Sequence, residues 1–248
     1  MAHITLPDHP EAVRFPLMGR PLIGFLLAFM AGSMNAWTLQ HAQTFATVQS
    51  GNIVQSGYWL IQGDWAKFTF PFISVIFFGL GSAFCGAVMT SLLKKHKVLT
   101  TKILLLEFLI LAALIVIVWI GGYDPHYIAY AVSFVAGMQG NAYHKNHGML
   151  YGNIAVTFVV QMAFNFLIQS FFSKKGINGE PNLMWSGIFF LVLLGFAGGG
   201  AIGFFVDQVV TAGALIMPAV IALILFMIAR NDTEEGERVD PLPGGNFA

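Results

Sequence analysis

Seven long apolar runs constrain this chain more than any other feature of its sequence. Each approaches the roughly 20 residues that a helix needs to cross about 30 Å of hydrocarbon. The composition agrees, since 56% of the residues are hydrophobic and 10% are charged, whereas soluble domains carry about 25% charge. The chain is therefore predicted to be an integral membrane protein. The runs cover residues 21–36, 68–93, 103–120, 127–143, 154–172, 183–206 and 212–229.

The predicted fold class is an all-α polytopic membrane protein. The 27 glycines suit close packing of membrane helices, whereas a β-barrel would alternate over strands of about ten residues. The lone Cys85 cannot form an intramolecular disulfide. No catalytic triad, zinc motif or nucleotide loop is visible, so we expect no enzymatic activity, no cofactor and no metal. Net charge is zero, and the expected partners are the lipid bilayer and a small-molecule substrate, without nucleic acid; the chain could also form a homo-oligomer.

An internal repeat is the second strong feature. Three motifs recur in the same order, which is the mark of a duplicated unit. We therefore predict one transmembrane domain at 21–229 made of repeat units at 21–122 and 126–229, between a cytoplasmic segment at 1–20 and a disordered cytoplasmic tail at 230–248. The matches are FMAGSMNAW at 29–37 with FVAGMQGNAY at 134–143, Gly51-Asn52 with Gly152-Asn153, and the glycine-rich stretch from Phe78 with the one from Leu194.

The charges of the loops decide between two topologies. If both Gly-Asn segments cross the membrane, there are eight spans and lysine and arginine divide seven to five between the two sides. If neither crosses, there are six spans and eleven of the 12 fall on one side, leaving only Lys67 on the other. This asymmetry favours six spans with both termini cytoplasmic. Three spans per unit then make the repeat inverted, as in many transporters.

One length argues against this topology. Residues 154–172 would form a helix of roughly 28 Å, which is long for a segment that enters and leaves on the same side. Residues 53–62 would form a half-helix of about 15 Å, which fits well. Seven or eight spans therefore stay open alongside six.

The Gly-Asn segments are the candidate substrate pathway. Non-helical backbone at membrane depth survives only where protein or water meets it. Glycine permits positive φ, and Ser50 or Asn52 could cap a following half-helix. The alternative is that these amides only join helices, a common use worth about 1 kcal/mol each. The pathway residues predicted are Gln49, Ser50, Gly51, Asn52, Gln55, Gly152, Asn153, Asn35 and Asn141.

Glu107 is the one acidic residue well inside an apolar run. It lies about one turn from the membrane edge, which favours snorkelling or pairing with Lys102. The alternative is a carboxylate that couples transport to protons. His41 and His144, in the linkers after the first helix of each unit, could titrate near neutral pH.

The first unit carries a family resemblance. The stretches AGSMNAW at 31–37 and TFATVQSGNIVQSGYWLIQGDW at 44–65 resemble the YoaK-like family of bacterial inner-membrane proteins. Here Ser50 replaces the usual threonine, and Asn35 stands where many members carry aspartate. The resemblance is strong over 24–90 and looser afterwards, and it implies a multi-pass protein of the bacterial cytoplasmic membrane that transports an unidentified small molecule.

Together these features predict a transporter or channel-like permease for a small polar molecule. Its site would lie near mid-bilayer between the two repeats. The competing interpretation is a membrane assembly or sensory protein that transports nothing, in which the intramembrane polar residues only pack helices.

Overall fold

The computed structural model describes residues 17–93, 100–146, 149–150, 152–176 and 179–231. It is almost entirely helical, with one pair of two-residue strands, β1 (Lys145–Asn146) and β2 (Met149–Leu150). Three parts of the chain lie outside the described residues: most of the predicted N-terminal segment, the loop with Lys94, Lys95 and Lys97 that enters the charge count above, and the predicted tail beyond Asn231. After a 3-10 turn at Leu17–Gly19, the helices are α1 (Pro21–Ala42), α2 (Gln49–Ile61), α3 (Trp65–Leu93), α4 (Thr100–Ile120), α5 (Pro125–Ala142), α6 (Val156–Phe172), α7 (Asn182–Val209) and α8 (Gly213–Asn231).

Helix packing repeats with a pseudo-twofold symmetry that exchanges α1–α4 with α5–α8. The pairing of α1 with α7 has its counterpart in that of α5 with α3. Likewise α2 packs on α3 as α6 packs on α7, and α8 contacts α1 as α4 contacts α5. Two contacts lie across the pseudo-axis, that of α1 with α5 and that of α4 with α8. The predicted repeat of two units is therefore present in the fold, and the units are interleaved rather than side by side.

Glycines bring these helices into backbone contact. A Cβ on Gly32 of α1 would collide with the carbonyl oxygen of Phe196 on α7, and one on Gly137 of α5 would collide with that of Phe78 on α3. These matched contacts make Phe78 equivalent to Phe196, so the predicted match with Leu194 was wrong by two residues. The cause is that both stretches are rich in glycine and phenylalanine, which leaves their alignment ambiguous until the contacts are known.

The order of contacts along each pair gives the helix directions. Along α1 and α7, Phe25 meets Gly195 and Phe29 meets Gly199, so these helices are parallel. Along α3 and α5, Ser74 bonds Ser133 and, further on, Asn141 bonds Met89, so these are parallel too. The α1 and α5 helices run in opposite directions, because Gln139 near the end of α5 donates to the carbonyl of Leu27 near the start of α1. It follows that α1 and α3 are antiparallel. The α2 helix between them therefore returns to the face at which α1 ends and α3 begins.

We interpret the fold as six spanning helices, with α2 and α6 as half-helices that re-enter from opposite faces. Five helices are long and apolar enough to span by themselves, namely α1, α3, α4, α7 and α8, and α5 lies alongside α3 as the sixth. The α6 helix has 17 residues, and Ser186 of α7 bonds the carbonyl of Ala163, so α6 forms an antiparallel hairpin with α7. The predicted all-α polytopic fold is confirmed. The helix directions agree with the predicted six-span inverted repeat, and the length of 154–172 does not argue against it, because α6 starts at Val156 near the middle of α7.

Positive charge falls on one face among the described residues. We call the face at which α1 begins and α8 ends the N-terminal face. Among the described lysines and arginines, Lys67 is the exception and lies on the opposite face, in the turn between α2 and α3. Its ammonium group forms an ion pair with Asp64 at 3.1 Å. The Lys67 backbone N–H, and then its side chain, lower the pKa of Asp64. The described lysine and arginine residues on the N-terminal face are Arg20, Lys102, Lys145, Lys174, Lys175 and Arg230.

Cysteine labelling can test the two re-entrant helices. In a Cys85→Ala background, Gln62→Cys and Lys174→Cys should react with a membrane-impermeant thiol reagent from opposite sides of sealed vesicles, because six spans place them on opposite faces. Eight spans would place both on the same side, so labelling of both from one side would contradict the fold. Leu39→Cys, at the exposed end of α1, is the matched control and should label together with Gln62→Cys.

Candidate functional site

The chain after α1 turns back into the membrane as a short extended segment. Gln43 ends α1 in the left-handed conformation with a φ of 50°, and residues 43–48 then run beside the last turns of the helix. The side chain of Asn35 holds them there: its Nδ2 donates to Thr47 Oγ1 at 2.6 Å, and its Oδ1 accepts from the Thr47 backbone N–H at 3.0 Å. Asn35 thus fixes the depth to which the segment re-enters.

Asn52 is the centre of the re-entrant unit and is fully buried. Its Oδ1 accepts from Thr44 Oγ1 and from the Phe45 backbone N–H, both at 3.1 Å. Its Nδ2, which carries two hydrogens, lies 2.7 Å from the Phe45 carbonyl oxygen, 2.8 Å from Gln49 Oε1 and 3.2 Å from Ser74 Oγ, so two of these acceptors share one hydrogen. Both ends of this amide therefore stabilise the backbone of the re-entrant segment, which lipid could not hydrogen-bond.

The polar cluster continues into α5 and lies near mid-bilayer. Ser74 Oγ bonds Ser133 Oγ at 2.7 Å and donates to the carbonyl of Phe45 at 2.9 Å. Ser74 comes nine residues after Trp65, the first residue of α3, which is about 13 Å along the helix or nearly half of a 30 Å core. The start of α2 therefore lies close to the middle of the membrane.

The Gly-Asn pairs occupy other positions than the sequence predicted. Gly51 and Asn52 lie in the first turn of α2, so the non-helical break lies earlier, at 43–48, and no side chain caps α2. Neither Gly51 nor Gly152 has a positive φ, contrary to the predicted reason for glycine. The reason is close packing instead: a Cβ on Gly51 would lie 3.3 Å from the ring of Phe45, and one on Gly152 would collide with Ala155. Ser50 is exposed, Gln49 and Gln55 are half-buried, and Gln49 Nε2 donates to the carbonyl of Ala46.

The second unit builds its re-entrant segment differently. Asn153 is buried, and its Nδ2 donates to the Tyr143 carbonyl at 3.2 Å, while its Oδ1 has no partner among the described residues. The matched glycine contacts place Val192 and Ala28 at the positions of Ser74 and Ser133, and both belong to an apolar cluster with Val159. A cluster of polar contacts around Asn52 thus holds the start of the first half-helix, whereas the second is held mainly by apolar contacts, together with the Asn153 and Ser186 hydrogen bonds. No hydrogen bond among the described residues joins the two Gly-Asn pairs.

A second polar group lies between α3, α4 and α5. Asn141 donates to the sulfur of Met89 at 3.6 Å. Glu107 of α4 lies close enough to act on Cys85 electrostatically. Glu107 is fully buried, and neither carboxyl oxygen has a hydrogen-bond partner among the described residues. The predicted snorkelling or pairing with Lys102 was therefore wrong, because the side chain turns into the bundle. Asn141 is also not the counterpart of Asn35, since it bonds α3 rather than its own linker.

Two buried groups were missed by the sequence reasoning. Asp207 near the end of α7 has a side chain only 2% exposed, and His41 Nε2 bonds its Oδ2 at 2.5 Å. The other oxygen accepts from the backbone N–H of Ala214 at the start of α8. Gln139 of α5 is buried at the α1 contact, with its Oε1 unpartnered among the described residues. An acidic residue directly after an apolar run was the signal available for Asp207. Burial, and then the Asp207 carboxylate, raise the pKa of the neighbouring Tyr123.

Two inverted units, each with a re-entrant half-helix, make up nearly all of the described chain. One protein family matches the same extent. The DUF1275 family, described as a protein of unknown function, matches residues 23–228. The chain belongs to this family. The match begins in α1 and ends in α8, so DUF1275 comprises both repeat units. No match was found among curated proteins or among solved structures. The family fits the predicted membrane protein, and the narrower YoaK-like assignment stays a prediction.

Proposed function

We propose that this protein is a membrane transporter or channel-like permease for a small polar molecule. The observation that supports this best is the pair of re-entrant half-helices that enter from opposite faces in an inverted repeat. In transporters built this way, substrate sites lie near mid-bilayer where the repeats meet. The pathway would pass the start of α2, with Gln49, Ser50 and Gln55, and approach Gly152-Asn153 from the other face.

The symmetry supports alternating access as the mode of transport. Because the two units pack equivalently, a conformation in which α2 is loosened on its own face has a symmetry-related counterpart. In that counterpart α6 is loosened on the opposite face. At the centre of the bundle, Ser33, Asn35, Ser133 and Gln139 are all buried in this conformation. We therefore interpret it as closed at those positions. In this proposal Asn52 and Asn35 hold the half-helix in place rather than bind solute directly.

Glu107 is the proposed coupling group. A buried carboxyl with no hydrogen-bond partner is tolerated only while it carries no charge, so losing its proton requires water or a cation to reach it. A conformational change that opens the bundle at α4 would allow this, which makes proton release depend on the transport cycle. The Cys85 thiol is a neighbouring soft group.

The orientation and location are part of the same proposal. The positive-inside rule places the lysine-rich N-terminal face, with both chain termini, in the cytoplasm. Together with the resemblance to YoaK-like proteins, this favours the cytoplasmic membrane of a bacterium. No catalytic role is assigned to any residue.

The experiment that tests transport starts from a thermal-shift screen. Purified protein is screened against amino acids, polyols, sugars, amines and small carboxylates, and each compound that raises Tm is then tested for flux in proteoliposomes. We expect at least one compound to enter faster than into protein-free liposomes. Gln55→Ala and Asn153→Ala should weaken the Tm shift, while Ile53→Ala, on the lipid-facing side of α2, should leave it unchanged. Flux equal to that of empty liposomes across the screen would contradict the proposal.

The substitution Glu107→Gln tests proton coupling. It keeps the shape of the side chain and removes the ionisable proton, so the fold should be retained. Accumulation driven by an imposed proton gradient should fall by about tenfold or more, since a coupled step then loses its driving ion. Exchange of labelled for unlabelled substrate at equal pH should persist, and Glu107→Asp should retain part of the accumulation. Accumulation at the wild-type rate in Glu107→Gln would show that Glu107 does not couple protons.

The competing function, a membrane protein that transports nothing, also has an observation in its favour. Every polar atom of the Asn52 side chain is bonded within the protein, as is the Asn35 amide. If these amides only join helices, Gln55→Ala and Asn153→Ala should change no ligand-induced shift, and no compound should be transported.

A further inference from the structure

The surface of α6 carries a stripe of amide side chains. Gln161, Asn165 and Gln169 are spaced four residues apart, so they lie on one face of the helix, and all three are exposed. Gln169 Nε2 donates to Asn165 Oδ1 at 3.1 Å. We call these three residues the amide stripe. Exposed Phe158 and Phe172 flank it, so the stripe is a polar line on an otherwise apolar surface.

The stripe extends into the hydrocarbon region. The α6 helix ends at Phe172 on the N-terminal face, and Asn165 and Gln161 lie about 10 and 16 Å further along the helix from it. Lipid chains offer no hydrogen-bond partner, and an amide left unpaired in hydrocarbon costs several kcal/mol. The mutual bond between Gln169 and Asn165 satisfies one donor and one acceptor, so most of the polar capacity of the stripe faces outward.

The other half-helix shows what exposure to lipid looks like in this protein. The exposed side chains of α2 include no amide: they are Ser50, Ile53, Val54, Tyr58, Leu60 and Ile61. Because the two half-helices occupy equivalent places, the difference between their outer faces is specific to α6. Lipid suffices as the neighbour of α2, whereas α6 requires a neighbour that can hydrogen-bond.

A groove continues the stripe at the membrane edge. It has a volume of about 360 Å³ and includes Gln169 and Phe172 in its lining. Asn182, in the same lining, is only 2% exposed, and its Oδ1 has no partner among the described residues. The remaining lining residues are Ser173, Lys175 and Gly176.

We propose that the amide stripe is the interface at which a second copy of this chain binds to form a homodimer. Copies in one membrane share an orientation, so a twofold axis along the membrane normal sets each stripe residue opposite itself. Amides suit such self-pairing, because each carries both donors and acceptors and none adds a like charge. Hydrogen bonds between polar side chains are a known source of helix association in membranes. This proposal does not depend on the transport proposal.

Cross-linking tests the geometry of the interface. In a Cys85→Ala background, Asn165→Cys should give a covalent dimer with a short bis-thiol reagent in native membranes. Val160→Cys is the matched control: it is also exposed on α6 but lies about 140° around the helix, so it should remain monomeric. Equal cross-linking at both positions, or none at Asn165→Cys, would overturn the proposal. So would reaction of Asn165→Cys with a membrane-impermeant reagent without dimer formation, because the stripe would then face water.

Removing the amides tests the interaction itself. The double variant Gln161→Leu/Asn165→Leu should weaken dimerisation in lipid vesicles by about tenfold or more, measured by single-molecule photobleaching over a range of protein-to-lipid ratios. The monomer should stay folded, because leucine inserts into lipid more favourably than these amides. The matched control is Ile53→Leu/Val54→Leu on α2, which should dimerise like wild type. A wild-type protein that is monomeric at every ratio, or a double variant that dimerises as well as wild type, would contradict the proposal.

Discussion

The substitution Gly32→Ala is expected to lower the free energy of unfolding by about 3 kcal/mol, at the upper end of the range for overpacking. The added Cβ would collide with the carbonyl oxygen of Phe196 and lie 2.8 Å from the Gly200 nitrogen. Both are backbone atoms and cannot rotate away, so α1 and α7 must separate along their whole contact. Unfolding of the detergent-solubilised protein by SDS, followed by tryptophan fluorescence, measures the loss.

Two further glycines serve as comparisons for Gly32. Gly137→Ala should cost about as much, because its Cβ meets the Phe78 carbonyl in the equivalent contact of α5 with α3. Gly187→Ala should be neutral or stabilising by up to about 1 kcal/mol, since alanine favours helix and no atom lies within 4 Å of its Cβ. Similar losses at Gly32 and Gly187 would show that the backbone contact does not hold these helices together.

The substitution Asn52→Leu is expected to have a comparably large effect, about 3 kcal/mol or more. It removes five polar contacts and leaves the Phe45 N–H without its partner in a partly buried position. An average of about 0.6 kcal/mol for each polar contact within a membrane bundle gives about 3 kcal/mol, and unpaired buried groups add to that cost. The same SDS titration measures it, and protease sensitivity at 43–48 should rise because the re-entrant segment loses its anchor.

The variants Ser50→Ala and Asn153→Leu are the controls for Asn52. Ser50 is exposed in the same helical turn, so its loss should change stability by less than about 0.5 kcal/mol. Asn153 donates one hydrogen bond, to the Tyr143 carbonyl, so Asn153→Leu should cost about a fifth as much as Asn52→Leu. If Asn153→Leu were the more harmful of the two, the first half-helix could not be the one that depends on hydrogen bonds.

The six spans and the inverted repeat were predictable because they depend on properties that survive in the sequence alone. Apolar length marks a span, and the distribution of lysine and arginine between the loops reports on which side each loop lies. With Lys67 as the single lysine on the opposite face, the loop charges favour six spans over eight, although they leave seven or eight open. The short half-helices followed from the same count.

The interior of the site was less predictable, because it depends on contacts between distant parts of the chain. His41 and Asp207 are 166 residues apart, and only the parallel packing of α1 on α7 brings them together. The inward turn of Glu107 follows from the packing of α4 against its neighbours, whereas its distance from the membrane edge suggested snorkelling. The start of α2 at Gln49 was missed because glycine and amides near mid-bilayer resemble a break in the helix.

The interleaving of the two units has a consequence for biosynthesis. The face of α1 that carries Gly32 fits against α7, which the ribosome completes some 160 residues later, on the order of ten seconds or more at about 5–20 residues per second. Until then α1 must wait in the bilayer with its glycine surface against lipid or against a chaperone. Neither unit made alone contains the partner for its own first helix. Separately expressed halves should therefore be unstable on their own and recover only when both are made in the same cell.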